Sequence, residues 1–363
     1  MVEVMSARGS FDVEPLREPA ESSLWISRAA FERAAGSELK PEGLCAGDLC
    51  TPLREEVRAR CIDGEAVDAA ALWSALERPV LADRTRTLWV LGDGARERAQ
   101  RLASGEAPDF ELPDLEGRMH RLSDQRGKKV FLTTWASWCG CRLDLPIWQK
   151  LHESLAGQPF MVIAIAMDSR GAKSARQWIE QAKPTYLNLI DRNHLVSDLY
   201  HMVNVPQAVW IDENGRIARP TEISGASSSA NQEKRRDMRA FYCDAIRDWV
   251  AKGAASEFVF ADGDPRAEMP AASESIALAH ACFRLAQRLS YRGDREEAAV
   301  LFARAVELNP DSWNMFRQMK NLEHPEASYG PEFQARVAEF TAAGKRYYPA
   351  PDLPGIEAIY SRK

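Results

Sequence analysis

A chain of 363 residues is too long for one ordinary hydrophobic core, so two or three domains are expected. With 45% hydrophobic and 28% charged residues the composition is that of a soluble globular protein, and a net charge of -6 gives no support for a nucleic-acid or anionic-membrane partner. The start, Met1-Val-Glu-Val-Met-Ser-Ala-Arg-Gly-Ser, lacks a basic segment followed by an apolar core. No later stretch is long and apolar enough to span a bilayer, so the expected location is cytoplasmic. The seven cysteines, at 45, 50, 61, 139, 141, 243 and 282, are odd in number and unevenly spread, unlike a secreted disulfide framework.

Residues 1–20 show little periodicity and are expected to form a loose tail. A small α+β domain is expected over 21–105, containing a degenerate internal repeat. Trp25-Ile-Ser27 before Arg28-Ala-Ala-Phe31 parallels Ala66-Val-Asp68 before Ala69-Ala-Ala-Leu72, each an apolar residue, an N-cap and a short amphipathic helix. Strand-like sequence follows each helix, at 37–52 and 79–92. In Leu44-Cys45-Ala-Gly-Asp48-Leu-Cys50 two cysteines flank a short turn between apparent strands. There they could pair as structural cysteines, form a second dithiol, or face one soft metal. Cys45-x-x-Asp48 also has a faint likeness to the thiol and acid pair of organomercurial lyases.

From Ala107 the pattern changes. A short hairpin at 108–118 leads to strand 129–135, helix 141–155, strand 160–167, helix 172–182, a short strand at 186–190 and helix 194–201. Strand 208–212 then turns through Asn214-Gly215 into strand 216–223, a strong hairpin signal. A long helix over 232–252 closes the unit. Strands alternating with helices and ending in a hairpin imply a mixed sheet with helices on both faces, an α/β class. Its centre is Thr134-Trp-Ala-Ser-Trp138-Cys139-Gly140-Cys141-Arg142, where a buried strand stops at two thiols just before a helix. Backbone N–H groups point outward there and the helix dipole is positive, which favours thiolate over thiol.

Three features in the right order make the resemblance specific. Residues 107–252 resemble a TlpA-like member of the thioredoxin-fold superfamily, shared with redoxins and AhpC/TSA-like proteins. Ala107-Pro-Asp-Phe-Glu-Leu-Pro-Asp-Leu-Glu-Gly matches the family's entry hairpin, and Trp135-Ala-Ser-Trp-Cys-Gly-Cys-Arg with Pro146 matches its active-site corner. Val203-Asn-Val205-Pro206-Gln-Ala-Val-Trp-Ile-Asp-Glu-Asn-Gly matches its cis-proline strand. The resemblance implies a redoxin domain over 106–256 and bacterial thiol–disulfide oxidoreductase chemistry. In that chemistry Cys139 is the nucleophile, Cys141 the resolving thiol and Pro206 a cis-proline that leaves the Val205 backbone free to pair with an extended substrate. Trp138 is expected to face substrate, Trp135 the core, and His201 to be a surface residue.

One departure matters: the family carries Cys-x-x-Cys, and this chain carries Cys-Gly-Cys. Within a helix, side chains two residues apart diverge by roughly 200°, so a bond between the two thiols requires a tight turn, which Gly140 would permit. The strained pair is expected to be reduced at rest. If the missing residue is placed before Cys139 instead, Cys141 takes the helix-start position and becomes the reactive thiol; both placements stand at this point.

Residues 257–274, rich in Gly, Pro, Asp and Ala, read as a linker, and 275–363 as a helical region. Leu285, Ala286, Leu289, Ala298, Phe302, Ala305 and Pro310 fit a tetratricopeptide-like unit turning at Gly293-Asp294. A single unit is expected to dock on neighbours. A helix over 331–344 is expected to pack behind it, before an extended end at Tyr347-Tyr-Pro-Ala-Pro. Cys61, Cys243 and Cys282 read as buried small hydrophobes. No metal, phosphate-loop or organic cofactor site is expected. The partners implied are a protein or small-molecule disulfide or peroxide, a dithiol or low-molecular-weight thiol reductant, and a protein bound by the tail. The rival reading is a non-catalytic adaptor on a degenerate thioredoxin fold.

Overall fold

The structure is a computed structural model describing residues 1–47, 49–226, 231–259, 273–323 and 327–361. It divides into two compact units, residues 1–99 with 271–310, and residues 100–270 with 311–363.

In the second unit the apolar run at 129–135 forms strand Lys129–Trp135. Successive side chains of a strand point to opposite faces, yet every residue from Val130 to Trp135 is buried, so the sheet is covered on both sides. The strand pairs in parallel with Phe160–Met167 and antiparallel with Gln207–Ile211. Leu187–Asp191 and Ile217–Ile223 close the edges of a five-stranded mixed sheet. The Asn214-Gly215 turn is formed as expected, with Gly215 at φ +75°, where a residue without Cβ is favoured. The entry hairpin pairs Glu111–Pro113 with Met119–Arg121. Helices Leu145–Ser154, Ala172–Ala182, Leu195–Leu199 and Gln232–Lys252 complete the alternation. The fold is α/β, a thioredoxin-like mixed sheet, as the sequence implied.

Residues 1–20 are not a loose tail. Val2–Ser6 is a buried strand between Gly9–Val13 and Leu88–Leu91, pairing in parallel with the latter, and Val80–Ala82 forms the far edge. The degenerate repeat is real in structure. Ser27 and Asp68 each cap their helix, accepting from the Ala30 and Ala71 N–H groups. The segments before the two caps pair with each other, Trp25 opposite Asp68 and Ser27 opposite Ala66.

The helical region 275–363 is not one body. Glu274–Arg292 and Arg295–Leu308 turn at Gly293 (φ +92°) and Asp294, which caps the second helix. The first helix of this hairpin packs on strands Val80–Ala82 and Leu88–Leu91 of the first unit. Helices Trp313–Glu323 and Pro331–Ala342 belong instead to the second unit, and not, as expected for the latter, to the body that holds this hairpin. Most of the expected linker, residues 260–272, lies outside the described residues. Cys61, Cys243 and Cys282 are buried free thiols. No helix among the described residues is long and apolar enough to cross a membrane.

A candidate dithiol site

Beyond Trp135 the chain leaves the sheet and is pinned by Asp168, at the end of the neighbouring strand. One Asp168 carboxylate oxygen accepts from the Ser137 N–H (3.2 Å) and from the Ser137 hydroxyl; the other accepts from the Arg170 N–H (3.1 Å). Burial raises the Asp168 pKa, and the Ser137 hydrogen bond opposes that rise. The pin delivers Cys139 in extended conformation (φ −96°, ψ 142°) at the start of a 3-10 turn, Gly140–Asp144. The α-helix expected from 141 begins only at Leu145, with Pro146 in its first turn.

That geometry changes the argument about the short spacing. Cys139 is outside the helix, so the divergence of helical side chains does not separate the pair, and its sulfur is bonded to that of Cys141 across a Cα separation of 5.2 Å. The Cys141 N–H points at Cys139 Sγ (3.3 Å). Gly140 does not use the left-handed region, and a Cβ there would meet nothing within 4 Å. The turn is one any residue adopts, and the glycine is not what permits the bond.

The Val205–Pro206 peptide is cis, and Cys139 Sγ lies 3.7 Å from the Val205 carbonyl oxygen. Of the two placements of the short spacing, this one puts Cys139 opposite the cis-proline. The Val205 backbone is not free, however. Its N–H donates to Asn204 Oδ1 (2.9 Å), and its carbonyl accepts from the Tyr348 hydroxyl (3.0 Å), which lies 3.8 Å from Cys139 Sγ.

The segment after Asp311 covers the site. The Gly140 N–H donates to the Tyr329 hydroxyl (3.0 Å). Arg317, fully buried, donates to the Trp138 carbonyl (3.3 Å) and holds its guanidinium 4.1 Å from the centre of the Trp138 ring. Trp138 is therefore beneath Arg317 at 6% exposure and does not face open solvent, whereas Trp135 is core as expected. Cys139 is 1% exposed and Cys141 5%, so both sulfurs are sealed. His201 is also buried, not a surface residue, and takes φ +53°.

Asp144, three residues after Cys141, is buried against Arg239 of the long helix (2.5 Å). Burial pushes its pKa up to about 6 despite the Arg239 guanidinium, and its second oxygen, Oδ2, has no hydrogen-bond partner. Neither Asp144–Arg239 nor the cover from Arg317, Tyr329 and Tyr348 was foreseen. The partners stand about 95 to 210 positions apart in the sequence. The only local signals were an acid inside an apolar helix start and a Tyr-Tyr pair.

In the first unit Cys45 and Cys50 sit opposite each other on strands Gly43–Ala46 and Leu49–Thr51 and are bonded to one another, Cys45 buried and Cys50 exposed. Asp48, the acid of the mercurial likeness, lies outside the described residues. No group of three or more His, Cys, Asp or Glu among the described residues could hold a metal ion.

Residues 103–219 match the AhpC/TSA family. They form an AhpC/TSA family domain. The thiol-disulfide oxidoreductase ResA of Geobacillus thermodenitrificans is 35% identical over 114 residues, covering 31% of this chain and 65% of that protein. The thioredoxin-like protein YneN of Bacillus subtilis is 35% identical over 115 residues, covering 31% of this chain and 66% of its own length. The chain thus spans just under two thirds of the length of these relatives. The crystal structure of StoA from Bacillus subtilis aligns at 22% identity and TM-score 0.29, covering 32% of this chain and 88% of that one. Within the AhpC/TSA domain lie Cys139, Cys141, Val205 and Pro206; Arg239, Arg317, Tyr329 and Tyr348 lie beyond it.

Proposed function

We propose that the protein is a thiol–disulfide oxidoreductase whose exchange centre is Cys139–Cys141. The observation that carries this reading is the position of Cys139. It lies at the entrance of a helical turn, with its sulfur bonded to Cys141 and set against the carbonyl that precedes a cis-proline. The names of the ResA relatives agree with it.

A thiolate of a dithiol substrate attacks Cys139 Sγ, a substrate–Cys139 bond forms and the Cys139–Cys141 bond breaks. Cys141 leaves as thiolate and takes up a proton. The substrate's second thiol then attacks the mixed disulfide, releasing Cys139, so the substrate leaves as a disulfide and the site holds two thiols. Run backwards, the same steps reduce a substrate disulfide, and a partner dithiol restores the thiol pair. At the helix entrance the dipole stabilises Cys139 as thiolate and as leaving group.

The test is a trap. In Cys141→Ser the second step within the protein is lost, so reaction with a peptide disulfide stops at a mixed disulfide on Cys139, seen as a mass increase on that peptide. Cys139→Ser should form no adduct on Cys141 at a comparable rate. Equal labelling of both variants, or of neither, would overturn the assignment.

A further inference from the structure

The occupied Val205 carbonyl and the hydroxyl set against Cys139 Sγ have one source, the chain's own C-terminal segment. From the end of helix Pro331–Ala342 it crosses the dithiol and is tied down at several points within the second unit. Asn204 Nδ2 donates to the Tyr347 carbonyl (2.9 Å), the Tyr360 hydroxyl to the Tyr348 carbonyl (2.7 Å) and Arg219 to the Asp352 carbonyl (2.5 Å). Leu353 and Ile356 are buried in the redoxin core. Over the site itself two hydroxyls make the contacts, that of Tyr348 on this segment to Val205 and that of Tyr329, on the turn just before helix Pro331–Ala342, to Gly140; Tyr329 is 46% exposed and Tyr348 half-buried.

We propose that this segment is a strap occupying the place of an extended peptide substrate, and that Tyr348 and Tyr329 are the latches that decide when Cys139 can react. The Tyr348 hydroxyl stands where a substrate backbone N–H would donate to the Val205 carbonyl, the edge pairing by which an extended chain is recognised. The Tyr329 hydroxyl takes the Gly140 N–H at the mouth of the turn. Burial raises the Tyr348 pKa well above the ordinary tyrosine value, so it remains a donor at any physiological pH. A substrate strand carrying the reacting sulfur must displace the strap, and the substrate class is therefore a peptide segment able to compete for Val205. Release proceeds by local opening of this segment and not by unfolding of the core. The inference rests on the exchange-centre reading above and specifies how that site is controlled.

The measurement is the rate at which dithiothreitol reduces Cys139–Cys141 in the intact chain. It would be compared for wild type, Tyr348→Phe, Tyr329→Phe and the double variant, with unfolding midpoints showing that each remains folded. Each lost hydrogen bond should speed reduction about fivefold and the pair about 25-fold. The wild-type rate should level off as reductant rises, once strap opening limits it. Equal rates in all four proteins, rising linearly with reductant, would overturn the strap. A separate readout isolates the underlying reading: the reduced double variant is offered a peptide disulfide. Transfer at a rate above wild type supports both ideas, and transfer at the wild-type rate sinks the strap alone. No transfer even from the opened site sinks the exchange centre, and the latch role with it.

Discussion

Asp144 is a carboxyl in the first turns after the dithiol with one oxygen against Arg239 and the other unpartnered. Burial lifts its pKa to about 6 from an ordinary 3.8, so the folded state holds the proton more tightly than the unfolded chain. The stability tied to that proton is fully present below pH 3.8 and is lost as pH rises through 6. The difference in unfolding free energy between wild type and Asp144→Asn should accordingly fall by roughly 2 kcal/mol between pH 4 and pH 7. Urea titrations across that window check it, and a difference that grows with pH would show that the Arg239 ion pair outweighs burial. At this scale the sequence exposes what is encoded locally. Cys139, Cys141 and Pro206 are legible because a strand end, a turn and an X-Pro bond are written in consecutive letters. Asp144 was passed over because its meaning comes from Arg239, on a helix that starts almost ninety residues later.

Among elements, caps and hairpins follow the same rule. Ser27, Asp68 and Asp294 act within three residues, and Asn214-Gly215 within its own turn, so each was readable. Strand Val2–Ser6 was missed because its parallel partner, Leu88–Leu91, is distant and a charged residue, Glu3, interrupts its apolar pattern. Glu3 is nevertheless buried, answered by Arg288 (2.8 Å) and Arg292 (2.7 Å) from the docked helical hairpin. Burial alone would raise its pKa, but the hydrogen bonds from Arg288, Ser10 and Arg292 and the Arg288 charge outweigh it and hold it below the usual value. Its contribution is present above pH 4.5 and is lost as pH falls. Glu3→Gln should cost the first unit about 1.5–3 kcal/mol at pH 7, the range for hydrogen bonds to a charged group, and progressively less below pH 4. Denaturation midpoints at the two pH values decide the matter, a pH-independent loss pointing to packing and not to charge.

Across the whole molecule, reading in chain order mistakes the units because neither unit is one continuous segment. Residues 271–310 complete the N-terminal unit, and 311–363 complete the redoxin unit that the sequence ended near 256. A linear reading sees composition shifts and linkers; it cannot see that helix Glu274–Arg292 packs on strands Val80–Ala82 and Leu88–Leu91. This discontinuity predicts how damage spreads. The Cys45–Cys50 bond closes a loop of sequence separation five, and loop-closure entropy for so short a ring is worth about 2 kcal/mol. Replacing both residues by serine should lower the protection of the first unit by that amount. If the unit is cooperative, amide exchange must quicken in helices Glu274–Arg292 and Arg295–Leu308 as well as in strands Val2–Ser6 and Leu88–Leu91, although more than two hundred residues separate those helices from the lost bond. Strand Lys129–Trp135, closer in sequence but in the other unit, should keep its exchange rates. Faster exchange confined to residues near 45–50, with helix 274–292 unchanged, would mean that the hairpin is held independently of the sheet it packs on.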